Sequence, residues 1–274
     1  MEFLKITSAA NPRIKEAIRL RERRHAEGEN LIVIEGMRVI ETALSAGVKI
    51  HEIFFTNHFG TGKEGRAILK TLAKKGVSII EIAEPLLRKI SDTETPQGII
   101  AVVSYELSSL ESLPALQNPL YAVADGVREP GNLGTIARIS DAAGADAVIL
   151  LEETCDILIS KAVRATAGSI FHIPVVRARS ETFVKWLHDR GIMLTVTSRD
   201  SALSVFDAKL DGPVALVFGN EAQGISSVIR KAADLSLKIP IYGKAESINV
   251  AMAAAVCIYE AARQRKSGQG CNGL

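Results

Sequence analysis

From Leu120 onward the chain alternates apolar runs of strand length with helical stretches, and that alternation leaves few folds open. The runs "LYAVADGV", "ADAVILL", "IPVV", "IMLTVTS", "VALVFG" and "LKIPI" are almost unbroken by polar residues. A strand with one wet face would alternate polar and apolar side chains, so these runs predict strands buried on both faces of a mostly parallel sheet. Helices over 132–143, from Ser160, from Glu181, from Ser226 and after Ser247 supply the two covering layers, making the fold class α/β. Ligands of such sheets bind beyond the C-terminal strand ends. Three loops fall there: Asp125 to Asn132, Gly219 to Gly224, and Tyr242 to Asn249.

The first hundred residues form a smaller α/β unit. A helix over Asn11 to Arg24 precedes the strand "LIVIEG", the helix "MRVIETALSAG" closed by Gly47, the strand "IHEIFFT", the helix "RAILKTLAKKG" and the strands "VSIIEI" and "GIIAVVSY". The expected organisation of the 274 residues is a domain over 1–105, a linker over 106–118 where Ser and Pro collect, a second domain over 119–266 and a disordered tail over 267–274.

Composition removes several function classes. The formal net charge is +2, so affinity for a polyanion has to come from a local patch. Three scattered cysteines argue against a disulfide framework and a Cys-based zinc site, and the five histidines show no metal-ligand spacing. No signal-peptide run and no membrane-spanning stretch is present, and a reducing cytoplasm is expected. No G-x-S-x-G elbow supports a hydrolase. "GTGKEG", Gly60 to Gly65, matches G-x-G-x-x-G in letters, but three residues separate it from the preceding strand and Arg66 stands where close packing wants a small residue. It is expected to be a flexible surface loop.

Two segments ask for a ligand or a partner. The N-terminal helix is rich in Arg, which suits bidentate phosphate contact, although Glu16, Glu22 and Glu27 dilute it. The closing segment "SINVAMAAAVCIYEAARQR" begins with Ser247 and Asn249, either of which can cap a helix, and ends with Arg263 and Arg265 near the negative end of its dipole. Its alanines, from Ala251 to Ala255, mean that something approaches closely.

Taken in order, "NLGTIAR", "FGNEAQGIS" and "IPIYGKAESINVAMAAA" resemble the three motifs of the SpoU, or TrmH-like, ribose 2′-O-methyltransferases of the SPOUT superfamily. The resemblance covers about Leu120 to Arg265. "NPRIKEAIRLRERR", "VIEGMRVIETAL" and "TETPQGIIAVV" are similar to the L30e-like RNA-binding domain found in part of that family. Ala222 stands where the family usually has Gly, and Ile248 where it usually has Leu.

The resemblance implies a deep trefoil knot, S-adenosylmethionine as cofactor, RNA as substrate and a homodimer through the knotted domain, with no metal and no membrane. It implies a catalytic set of Arg138, Asn132, Glu221, Ser247 and Asn249. Cofactor contacts would come from Thr197, Gly219, Asn220, Ile239, Ile241, Ser247, Ile248 and Asn249. Phosphate contacts would come from Arg13, Lys15, Arg19, Arg23, Arg38, Arg128 and Arg164. Ribosomal RNA of the large subunit is preferred over transfer RNA, with a non-catalytic RNA-binding assembly factor as the alternative outside catalysis. A ribose hydroxyl is a poor acid and a guanidinium rarely gives up its proton, so Arg138 is expected to stabilise developing negative charge.

Overall fold

The structure, a computed structural model, describes residues 3–22 and 30–268. The chain divides into two compact units, one of Met1–Glu106 with Asp156–Phe171, the other of Leu107–Cys155 with His172–Leu274.

The first unit holds strands β1 (Leu4–Ile6), β2 (Leu31–Glu35), β3 (Ile50–Phe55), β4 (Ser78–Ile82) and β5 (Ile99–Ser104), with helices α1 (Pro12–Glu22), α2 (Met37–Ser45), α3 (Asn57–Thr61), α4 (Lys63–Lys74) and α5 (Glu84–Ile90) between them. The strand order is β1-β4-β3-β5-β2. β1 and β3 run parallel to β4, and β5 is antiparallel to both β2 and β3. The C-terminal ends of β1 to β4 therefore share one edge with the start of β5. Ile14, Ala17 and Leu20, spaced three apart on α1, pack with Phe54, Ile80, Leu87 and Ile100.

The sequence pattern misses β1, which is only three residues long, and α5. Pro85 looks like a breaker in "EPLLRKI" but lies in the first turn of α5, where its missing N–H has no intrahelical partner to lose. "GTGKEG" is not a flexible loop, because it spans the end of α3 and the start of α4. Its glycines serve packing. A Cβ on Gly60 would lie 2.6 Å from the Phe55 ring, and one on Gly65 only 2.0 Å from the Phe59 carbonyl oxygen.

The second unit holds β6 (Leu120–Asp125), α6 (Pro130–Ala143), β7 (Ala147–Leu150), β8 (Val175–Arg177), α8 (Ser180–His188), β9 (Met193–Thr197), β10 (Val214–Gly219), α9 (Ser227–Ala232), β11 (Leu235–Leu237) and α10 (Val250–Gly268). Helix α7 (Ser160–Ala165), which follows β7 in the chain, belongs to the first unit and packs on β2. The six strands lie in the order β11-β9-β10-β6-β7-β8, and every pairing is parallel. The expected strand "LKIPI" is shifted. β11 ends at Leu237, before Pro240, which has no N–H for a ladder.

The segment expected as a linker is part of the second unit's core. Leu110 and Leu113 are buried with Tyr121, Val176 and Trp186, and Ser109 and Ser112 cap a short 3-10 turn reciprocally. Sequence alone takes its Ser and Pro for solvent exposure, whereas the leucines between them anchor it. Because Asp156–Phe171 returns to the first unit, the chain passes between the units three times, not once.

Ala251, Ala254, Cys257 and Ala261, with Ile258, line the buried face of α10, and the helix packs closely on α6 and β10. Small side chains permit that approach. The Arg265 guanidinium donates to the carbonyls of Asn118, Pro119 and Gly212 at 2.7, 3.0 and 2.6 Å. It therefore ties the helix to the start of the sheet rather than to its own dipole. Ser267 and Gly268, expected in a disordered tail, are helical, and 269–274 lie outside the described residues. Among the described residues no helix is long and apolar enough to cross a membrane.

Candidate functional site

Parallel pairing puts the ends of β6, β10, β9 and β11 on one edge, and all three loops singled out in the sequence start from it. Gly219 pairs in register with Asp125. The buried Asp125 carboxylate accepts from the Ser226 backbone N–H at 2.7 Å, fixing the far end of the 219–226 loop. Burial raises the Asp125 carboxyl above its ordinary value, an effect partly offset by its hydrogen bonds to Ser226. Inside the loop Asn220 and Gly224 exchange backbone bonds, and the Asn220 side chain accepts from the N–H groups of Ala222 and Gln223 while donating to the Gly126 carbonyl at 2.9 Å. A Cβ on Gly219 would lie 2.6 Å from the Gly224 backbone, so only glycine fits this crossing.

A line of side-chain bonds joins the three loops. Asn249 Nδ2 donates to Asn132 Oδ1 at 3.0 Å, and Asn132 Nδ2 donates to Glu221 Oε1 at 2.5 Å. Two other bonds aim these groups. Asn249 Oδ1 accepts from Ala251 and Met252 N–H, so Asn249 rather than Ser247 caps α10. Glu129 caps α6 by accepting from the Asn132 N–H at 2.8 Å, and Pro130 sits in the first turn, so the helix begins two residues earlier than its pattern indicates.

The loop between β11 and α10 is differently built. Residues 241–249 are all exposed, including Ile241, Ile248 and Tyr242, and no backbone–backbone hydrogen bond among the described residues is donated or accepted by 241–248. Apart from the Glu246 carbonyl, which accepts from the Arg199 guanidinium at 3.5 Å, N–H and C=O groups beside exposed isoleucines make an edge that can meet a flat, polar-rimmed group. Ile239 is half-buried at its start, and Ser247 is exposed near its end. The Thr197 hydroxyl, at the end of β9, donates to the Val217 carbonyl at 3.0 Å.

Arg138 is not brought into the line of bonds. It stands six residues beyond Asn132 on α6, about 9 Å along the axis, exposed and with no hydrogen bond or ion pair among the described residues. Burial pushes the Cys257 thiol up to about 12, which leaves it a core residue with no part in the chemistry. Among the described residues no three His, Cys, Asp or Glu side chains gather as metal ligands would.

The basic residues separate into paired and free ones. Arg13 meets Glu52 at 3.3 Å and donates to Ser78, and Arg19 is engaged by Glu16. Arg128 meets Glu153 at 3.4 Å and Arg164 meets Asp92 at 3.6 Å. Lys15 and Arg38 are exposed. Arg23 lies outside the described residues. Sequence reading missed Glu35, whose carboxylate organises the loop before β5. Its only signal is a charged residue at the end of an otherwise apolar strand.

Comparison with known proteins agrees with this layout. The SpoU rRNA Methylase family model matches residues 119–259, and the MRM3-like substrate binding domain model matches residues 11–101. The 23S rRNA (guanosine(2553)-2′-O)-methyltransferase of Bacillus subtilis is 34% identical over 93% of this chain and 97% of its own length. The 23S rRNA (uridine(2479)-2′-O)-methyltransferase of Streptomyces viridochromogenes is 32% identical over 91% of this chain and 88% of its own. A crystal structure of an AdoMet-bound rRNA methyltransferase from Sinorhizobium meliloti aligns with a TM-score of 0.84 at 30% identity, covering 94% of this chain and 97% of that one.

Proposed function

Because the chain belongs to the SpoU rRNA methylase family, we propose that it transfers a methyl group from S-adenosylmethionine to a ribose 2′-hydroxyl of large-subunit ribosomal RNA. The observation that carries the reading is the Asn249–Asn132–Glu221 line of hydrogen bonds. Its two bonds join residues 117 and 89 positions apart in the chain at the sheet edge where parallel sheets bind ligands.

The residues present fit the cofactor. Exposed Ile241 and Ile248 with half-buried Ile239 would flank its adenine, and backbone groups of 241–248, which make no backbone–backbone bond, would meet the adenine's polar edge. Gly219 and Asn220 would border it without a bulky side chain, Thr197 would lie at the floor, and Ser247 and Asn249 would close the far side. When bound, S-adenosylmethionine supplies an electrophilic methyl on a sulfonium that leaves as a neutral thioether.

The chain's own residues then handle the hydroxyl. Asn132, Glu221, Ser247 and Asn249 orient the ribose. Arg138 stabilises the developing alkoxide electrostatically, since a guanidinium keeps its proton at physiological pH, and the hydroxyl proton passes to an RNA phosphate. The first unit supplies RNA affinity, with Lys15 and Arg38 as unpaired phosphate contacts. Arg13, Arg19, Arg128 and Arg164 would exchange acidic partners for phosphates, and Arg23 would extend the set.

We further infer a homodimer in which α10 packs against a second copy. Met252 and Tyr259, seven residues apart on one helical face, are each about half exposed, at 52% and 51%. The chain path from β10 to α10 is inferred to thread the deep trefoil knot, and the cytoplasm, where ribosomal RNA is made and modified, is the inferred compartment.

The test incubates purified protein with methyl-labelled S-adenosylmethionine and separate pools of ribosomal and transfer RNA. Label recovered as a ribose methyl in 23S rRNA supports the reading. Label in transfer RNA alone moves the substrate class, and cofactor binding without label in any pool overturns the catalytic assignment.

A further inference from the structure

The loop between β11 and α10 is held at its two ends and, between them, by one side chain from elsewhere in the chain. Residues 241–248 are exposed, and among the described residues their main chain takes part in a single hydrogen bond, from the Arg199 guanidinium to the Glu246 carbonyl at 3.5 Å. A contact that long draws its strength from the charge on the donor. Arg199 is itself exposed and makes no ion pair among the described residues, so no carboxylate competes for it.

The place from which Arg199 reaches is fixed by the strand that the loop leaves. The Ser198 N–H donates to the Leu237 carbonyl at 2.9 Å, and Ser201 Oγ donates to the Ser236 carbonyl at 2.6 Å. Lys238 donates its N–H to the Leu203 carbonyl and accepts from the Val205 N–H, both at 2.8 Å, so Ser204 and Lys238 bridge as parallel partners. Residues 198–205 therefore brace the chain up to Lys238. At the far end Asn249 caps α10 and bonds Asn132. Only Arg199 touches the main chain between those supports, across 47 positions of sequence.

A loop whose main chain is left open for a ligand has little of its own to keep it in shape. Without an outside contact it would lose conformational freedom on binding, and affinity would fall by that much. One bond near its centre moves the ordering ahead of the ligand. The charge balance argues against Arg199 as a phosphate contact instead, because Asp200 and Glu246 match Arg199 and Lys244 over 199–200 and 241–248. No net positive charge gathers there to attract RNA.

We propose that Arg199 is a positioning residue for the cofactor, acting through the Glu246 carbonyl to hold 241–248 in the arrangement that receives the adenine. The inference rests on the reading of that loop as part of the S-adenosylmethionine site. It adds to the site a residue from outside the three sequence motifs.

The test uses the full chain, S-adenosylmethionine, its demethylated product S-adenosylhomocysteine and 23S rRNA, with the variants Arg199→Ala and Arg199→Lys. Arg199→Ala should raise the calorimetric Kd for S-adenosylhomocysteine and the KM for S-adenosylmethionine roughly five-fold, the scale of one lost hydrogen bond. The kcat at saturating cofactor and the KM for 23S rRNA should stay as they are. Arg199→Lys should keep most of the affinity, since an ammonium also donates to a carbonyl. Tyr242, 90% exposed within the loop, supplies a readout that needs no cofactor. Chymotrypsin should cut after it several-fold faster in Arg199→Ala, while the thermal midpoint holds. An unchanged cofactor Kd overturns the proposal, and so does a loss matched by a fall in the midpoint. A raised KM for 23S rRNA with a smaller salt slope makes Arg199 a phosphate contact and overturns it too. A wild type that binds cofactor and methylates no RNA removes the catalytic reading alone, whereas one that binds no cofactor removes both.

Discussion

The two sheet edges solve opposite problems. In the second unit, Asn249, Asn132 and Glu221 bond in a line along the edge, Asn220 bonds to the backbone of Gly126, Ala222 and Gln223, and what is left open is most of the backbone and the isoleucines of 241–248. In the first unit, one carboxylate takes up the backbone and hydroxyl groups of a loop and leaves polar side chains open. Bare backbone suits a small ligand of fixed shape, and presented side chains suit a polymer such as RNA. Topology makes the second arrangement available. Because β5 runs antiparallel to its neighbours, its leading loop returns to the edge where the parallel strands end.

The largest expected effect tests whether the second-unit edge does chemistry. Arg138→Ala should lower kcat for methyl transfer about 10²–10³-fold, the cost of removing one donor aimed at developing negative charge. Cofactor affinity by calorimetry and RNA affinity by filter binding should move less than about two-fold. Equal losses in kcat and in RNA affinity would make Arg138 a binding residue and erase the proposed division of labour.

Next in size is Gly65→Ala in the first unit. With a Cβ 2.0 Å from the Phe59 carbonyl, overpacking between α3 and α4 should cost about 3 kcal/mol, read as a lower denaturation midpoint. Were "GTGKEG" a nucleotide loop instead, the same change would leave stability alone and abolish dinucleotide binding.

Those glycines also mark the limit of what sequence shows. Long apolar runs announce a parallel sheet because burial on both faces leaves one reading, and the three loops follow from where such strands end. Packing glycines and ligand-binding glycines, however, carry the same letters. The contact of Gly60 with Phe55 is set by how the end of β3 turns into α3, which the letters alone do not encode. Leu110 and Leu113 look like linker residues because Ser and Pro surround them, yet they are buried. The motifs name Asn132, Glu221 and Asn249 without saying that they bond in a line. Glu35 is the reverse case, ordinary in sequence and central in the structure, because its three donors come from residues 56 to 62 positions away.

A smaller effect asks how firmly the second unit's edge is tied down. Arg265→Ala removes three bonds from a cation to the carbonyls of Asn118, Pro119 and Gly212. Burial lowers the Arg265 pKa, offset in part by Asp146 and Asp211. Since hydrogen bonds involving a charge are individually worth about 1.5–3 kcal/mol and the freed carbonyls can recover water, a net loss of about 2 kcal/mol is expected. Thermal unfolding of the variant measures it. No loss would mean that the alanine stripe alone seats α10.

The smallest effect compares the two edges through their acids. Asp125 accepts one backbone N–H, from Ser226, so the amide oxygen of Asp125→Asn can replace it. Glu35 accepts from three donors, which the amide of Glu35→Gln cannot serve as well. The sign of the Asp125 effect follows from its raised carboxyl. Well below the ordinary value of 3.8 both folded and unfolded states are protonated, and the charge contributes nothing. As pH rises through that value the unfolded chain ionises first, so stability is lost until the folded carboxyl also ionises. The Asn variant has no such loss. Its stability relative to wild type should rise with pH across that window and then level, by less than the change at Arg265. A gap that shrinks with rising pH would mean that the Ser226 bond favours the ionised form more than burial opposes it. The two edges would then hold their carboxylates by the same means.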